Sequence, residues 1–292
     1  MVDLTRKEVA ELLNKVSLIH QNFLPNDTKR TQIFKKGYES LIHFMEGYAY
    51  ERQGAAKAYP KIAVSCISNK YQNGNDWRVP TKDDAEYLWE DYKRIAKNDY
   101  HLLDNKTREP KVNKTCNPMN EDEGVISKLA SNGISNIAAH IKDLIICRKT
   151  TEAHNFLKGI RGIGEKIASL YLRDIAYLAG LDEKSISYLY LLQPIDTWIE
   201  QTLKILFGSD VPKKLCKKQE LIVNLCKESK VSSISFNQGA WILGSQIATE
   251  FGTFKRALTK YNSAQKFIQN HVEEKKGYLR VVENVLNSLR SR

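Results

Sequence analysis

The chain has 292 residues, enough for one large core or for two lobes around a cleft. It carries 45 Lys and Arg against 34 Asp and Glu, a formal charge of +11 with a pI of about 9.2, which fits an anionic partner such as nucleic acid or a merely soluble basic protein. No apolar run reaches the roughly 20 residues that cross a bilayer, so no membrane-spanning helix and no membrane partner are expected.

The start, Met1-Val2-Asp3-Leu4-Thr5-Arg6-Lys7-Glu8, is charged and helical in pattern, unlike a secretory signal. The cysteines Cys66, Cys116, Cys147, Cys216 and Cys226 are scattered and odd in number. That usage suits a reducing interior, so an intracellular location is expected: cytoplasm and nucleoid, or the nucleus in a eukaryote. No pair has zinc-knuckle spacing and no four cluster as in an iron–sulfur site, so no metal cofactor held by cysteine is expected, and no other cofactor is called for.

Helical periodicity dominates in chain order. Residues 5–20 bring Val9, Leu12, Leu13, Val16 and Ile19 to one face, and 31–50 repeat the pattern with Ile33, Phe34, Tyr38, Leu41, Ile42, Met45 and Tyr48. Residues 61–68 and 83–97 are helical around a turn-rich 69–82. Residues 98–122, with Pro110 and Pro118, are a polar loop. Helices follow at 122–130, 135–147, 151–158 under a Thr151 cap, and 165–179 closed by Gly180. A Leu- and Tyr-rich connection occupies 181–192. Helices at 197–207, 217–227, 239–251, 253–261 and 281–289 complete an all-α chain.

The most specific stretch is Gly159-Ile160-Arg161-Gly162-Ile163-Gly164-Glu165-Lys166. Its three glycines allow a tight two-helix turn with left-handed angles and close chain approach, and Ile160 and Ile163 plug the turn into the core. The N–H groups of Gly162, Ile163, Gly164 and Glu165 point along the dipole of the following helix, a site for a phosphate oxygen that needs no base-specific side chain. Lys158 and Arg161 flank it with positive charge. Lys166 sits in the first turn, where a helix N-terminus and burial would both favour a neutral amine; the competing reading is a solvated lysine on an amphipathic helix. Thirty residues later Asp196 follows Pro194 and opens an apolar helix as an N-cap.

Residues 160–168 resemble the helix-hairpin-helix of the endonuclease III-like DNA glycosylase superfamily, and Pro194-Ile195-Asp196-Thr197 resembles its aspartate segment. The likeness is strong over 151–208 and extends over about 60–260. It implies a two-lobed all-α glycosylase fold, with a helical barrel at 56–180 ending in the hairpin and a discontinuous second domain of 1–55 plus 181–292. The active-site cleft would lie between the lobes. It also implies Lys166 as the nucleophile that attacks the sugar C1′ as the base leaves, giving a Schiff base. Asp196 would steady the oxocarbenium-like charge and handle protons. The partner would be double-stranded DNA with a damaged base, bound by a monomer.

Two departures stand out. The Lys166–Asp196 separation is longer than in most of the superfamily, which implies an insertion at about 181–192, and position 198 is Trp where many members carry a polar residue. The insertion, together with Asn237-Gln238-Gly239-Ala240-Trp241, resembles the archaeal-type 8-oxoguanine glycosylase/lyase subfamily most. That implies base-pocket roles for Asn237, in place of an acid, and for Trp241, with Trp77 a further candidate. Core packing is the competing reading for Trp241 and for Trp77. Lys213, Lys214, Lys217 and Lys218 read as a solvated helix start or as a phosphate track, and His140 and His154 receive no role. The alternatives are a glycosylase for an oxidised pyrimidine or alkylated base, and a non-enzymatic hairpin protein that only holds DNA.

Overall fold

A computed structural model describes residues 4–21, 31–51, 58–98, 117–260, 262–274 and 276. Most of the expected loop, 99–116 with Cys116, and the expected helix at 281–289 lie outside the described residues. Among the described residues the chain is all-α, with no β-strand. Among the described residues no helix is long and apolar enough to cross a membrane.

The chain divides into two compact units, Asn26–Pro194 and Met1–Pro25 with Ile195–Arg292. The segments 31–51 and 181–194, expected with the discontinuous domain, thus belong to the same unit as the hairpin.

The first unit contains α2 (Gly37–Phe44), α3 (Ala58–Lys70), α4 (Lys82–Asn98), α5 (Val125–Ser131), α6 (Ile137–Ile146), α7 (Thr150–Lys158) and α8 (Glu165–Leu178). A π-helical turn, Met45–Ala49, extends α2. Asn136 caps α6 by accepting from the Ala139 N–H at 2.9 Å, and Ser40 on α2 accepts from the Ala138 N–H at 2.8 Å. Below α8 lies an aromatic cluster. Tyr171 meets Phe44 and Tyr48 edge-on at 5.0 and 4.8 Å, and the Tyr48 hydroxyl donates to Asp174 at 2.9 Å. Burial and the Asp174 charge push the Tyr48 hydroxyl well above the usual phenol range, which keeps it a donor. At α4, Thr81 and Asp84 form a reciprocal capping pair, and Asp84 also accepts from Arg78 and pairs with Lys70 at 3.2 Å. These cations and N–H donors hold the buried Asp84 carboxyl far below the ordinary carboxylate range, against the cost of burial.

Residues 181–192 are no simple connection. They form two 3-10 turns, Glu183–Ser185 and Leu189–Leu192, and the second packs on α7 and α8. Ser187 fixes the segment by donating to the Arg148 carbonyl at 2.8 Å.

The second unit contains α1 (Arg6–Gln21), α9 (Thr197–Phe207), α10 (Leu215–Ser229), α11 (Ser233–Ile242) and α12 (Phe251–Thr259), with a further helical stretch at 262–274. Val9, Leu13, Val16, Ile199, Leu203, Ile222, Phe236 and Phe254 form its core. The single helix expected over 239–251 is not found. Ser232 caps α11 by accepting from the Ser235 N–H at 2.9 Å, so the helix starts well before Gly239. A π-helical turn, Leu243–Ile247, then ends it. The reason is that α11 is buried on most sides and so lacks an amphipathic stripe. Gly239 lets α11 cross α1 closely: a Cβ there would stand 1.8 Å from the Leu13 carbonyl oxygen.

Candidate nucleic-acid interface

The hairpin consists of α7, the turn 159–164 and α8. α7 begins at Thr150 with Lys149 in the cap position and no side-chain cap, so Thr151 is not the cap expected. In the turn Ile160 and Ile163 are buried, as their plug role requires. Of the three glycines only Gly162 is left-handed, with φ +84°. Gly159 has φ −73°, and a Cβ there would meet Lys128 Nζ at 2.8 Å, so a lysine from α5 crosses that position. Gly164 is the N-cap of α8 with extended backbone, and a Cβ there would meet nothing within 4 Å.

The N–H groups are not equally available. Arg161 N–H donates to the Glu123 carbonyl at 2.7 Å and Ile163 N–H to the Ile160 carbonyl at 3.0 Å. Gly164 brings no side chain to cap the first turn of α8, so its leading N–H groups face the open side. That removes Ile163 from the expected donor set.

The flanking charges differ from expectation too. Arg161 folds back onto Glu123, with Nη2 and Nε 2.6 and 3.1 Å from the same carboxylate oxygen. Lys158 forms an ion pair with Glu165. His154, on the same face of α7 as Lys158, is 4% exposed, and its Nε2 lies 3.1 Å from Glu165 Oε2 without hydrogen-bonding alignment. Burial pushes His154 below the usual imidazole range. Glu165 opposes that shift and Lys158 adds to it. Glu123, Lys128 and His154 are the hairpin neighbours that sequence reasoning missed. Only His154 has a readable signal, its i,i+4 spacing to Lys158.

Lys166 lies in the first turn of α8. It is exposed rather than buried, and among the described residues it has no hydrogen-bond or ion-pair partner. Asp196 belongs to the other unit, where its Oδ1 accepts from the Ile199 N–H at 2.8 Å as the N-cap of α9. Asn237, on α11, is buried, and Trp241 is 41% exposed, so Trp241 is not the core residue of its competing reading. Trp77 donates its indole N–H to the Ser135 carbonyl at 2.9 Å and meets Tyr71 edge-on at 4.8 Å, which gives it a structural role. Trp198 fills the space over Gly244 and tilts on Phe254 at 4.9 Å. In the lysine cluster, Lys217 pairs with Glu220 and Lys218 with Glu200, while Lys213 and Lys214 are exposed. Among the described residues no three His, Cys, Asp or Glu side chains gather as a metal site.

No protein-family model matches the chain, and no solved structure matches it. A protein of Methanocaldococcus jannaschii, described only as uncharacterized, is 23% identical over 201 residues, which are 68% of this chain and 45% of the relative. The chain thus spans about half the length of that relative.

Proposed function

We propose that the chain is a bifunctional DNA glycosylase and abasic-site lyase of base excision repair, with the two-lobed helix-hairpin-helix architecture and 8-oxoguanine as its preferred lesion. The observation that carries this reading is the turn between α7 and α8: a left-handed Gly162, two buried isoleucine plugs, and an uncapped helix mouth with Lys166 in its first turn. A phosphate oxygen fits the leading N–H groups. The Lys166 amine attacks C1′ as the C1′–N bond to the base breaks, and the Asp196 carboxylate steadies the positive charge on the sugar. Loss of the C2′ proton then expels the 3′ phosphate, and water releases the lysine. The exposed face of Trp241 supports a role in stacking on an unpaired base.

The test is borohydride trapping on duplexes that carry one defined lesion each. Wild type should give a covalent protein–DNA adduct on 8-oxoguanine duplex and Lys166→Gln none, while both retain the same melting temperature within about 2 °C. A second reading, a hairpin that only holds DNA, is favoured by the exposure of Lys166. It expects duplex binding with neither adduct nor nicking on any lesion.

A further inference from the structure

We infer that the Glu165 carboxylate is a built-in placeholder for a DNA phosphate, held over the mouth of α8 by Lys158 and displaced when the backbone of a duplex docks. The inference rests on the proposed use of the hairpin to bind DNA. Glu165 is the first residue of α8, where an anion is favoured by the helix dipole. Its Oε1 takes the Lys158 ammonium, the charge that would otherwise face a phosphate. Its Oε2 lies 3.1 Å from the Nε2 of His154, a side chain 4% exposed, and that nitrogen has no aligned hydrogen bond. A buried nitrogen left unsatisfied beside a helix mouth marks a place where a better-fitting anion gains a contact. Gly164 leaves the approach open. Glu165 thus contributes in two opposed ways: its N–H is one of the phosphate donors, and its side chain competes with the phosphate for Lys158.

The sign of the effect is the test. Affinity for an undamaged duplex is measured by fluorescence anisotropy across a salt series for wild type, Glu165→Gln, Lys158→Gln, the double variant and Gly164→Asp. Freed from Glu165, Lys158 becomes a phosphate contact, so Glu165→Gln should bind roughly threefold tighter. Its slope of log affinity against log salt should steepen by about 0.9. In the Lys158→Gln background the gain should vanish. A gain that persists there is simple removal of a negative charge and overturns the placeholder. Unchanged or weaker binding by Glu165→Gln overturns it as well. Gly164→Asp supplies a good N-cap in open space and keeps the fold, but its carboxylate occupies the mouth permanently. If it leaves duplex binding intact, the hairpin does not hold DNA and both readings fall. If it weakens binding while Glu165→Gln gains nothing, only the placeholder falls.

Discussion

Gly164 in the hairpin and Gly239 in α11 are both glycines in helical surroundings, and they do opposite things. At Gly239 the missing side chain is filled: the Leu13 backbone occupies the space and two helices cross there. Gly244 is filled likewise, by the Trp198 ring, 2.2 Å from where its Cβ would stand. At Gly164 the space is empty and faces outward. A glycine whose vacancy is filled by the protein serves packing. One whose vacancy stays open, beside uncapped N–H donors, leaves room for something the chain does not itself supply.

The same substitution at both positions breaks or sharpens that contrast. Gly239→Ala forces α1 and α11 apart and should cost about 3 kcal/mol or more, read as a lower urea midpoint with an unchanged slope. The next effect belongs to Asp196. Asp196→Ala removes the cap of α9 and should cost about 1 kcal/mol, while Asp196→Asn keeps most of the cap. A lyase activity lost in Asp196→Asn with stability retained separates the chemical role from the capping role. Gly164→Ala should cost about 0.5 kcal/mol, the poorer N-cap preference of alanine alone, because its methyl group enters open space. It should still weaken duplex binding if a phosphate sits against that backbone. Equal losses of stability at Gly164 and Gly239 would remove the distinction.

The class and most helix bounds are legible in the sequence because amphipathic stripes and cap residues are local. α9 begins after Asp196 and ends at Gly208, both readable as punctuation. α11 is not legible, since a helix buried on most sides shows no stripe, and Gly239 resembles a helix start rather than a packing contact. At the candidate site the turn is legible and its electrostatics are not. Arg161 looks like a free cation because Glu123, its partner, is 38 residues away in sequence. Lys166 reads either as a buried amine at a helix mouth or as a solvated lysine on an amphipathic helix, and the sequence does not choose between them because burial of one side chain is set by its neighbours in space.

The smallest expected effect is a pH dependence at the hairpin. Burial lowers the His154 pKa in the folded state, so between that value and the ordinary imidazole value of about 6.5 the unfolded chain binds more protons. Stability is therefore fully present above the unfolded value and is lost as pH falls through this window. His154→Gln should flatten the acid limb of a melting-temperature profile but not level it, because burial also lowers His140, on α6 against Phe156. Glu165 partly offsets the burial of His154, so Glu165→Gln should steepen the same limb. A profile that responds to His154→Gln but not to Glu165→Gln would mean that the carboxylate and the imidazole do not interact in solution.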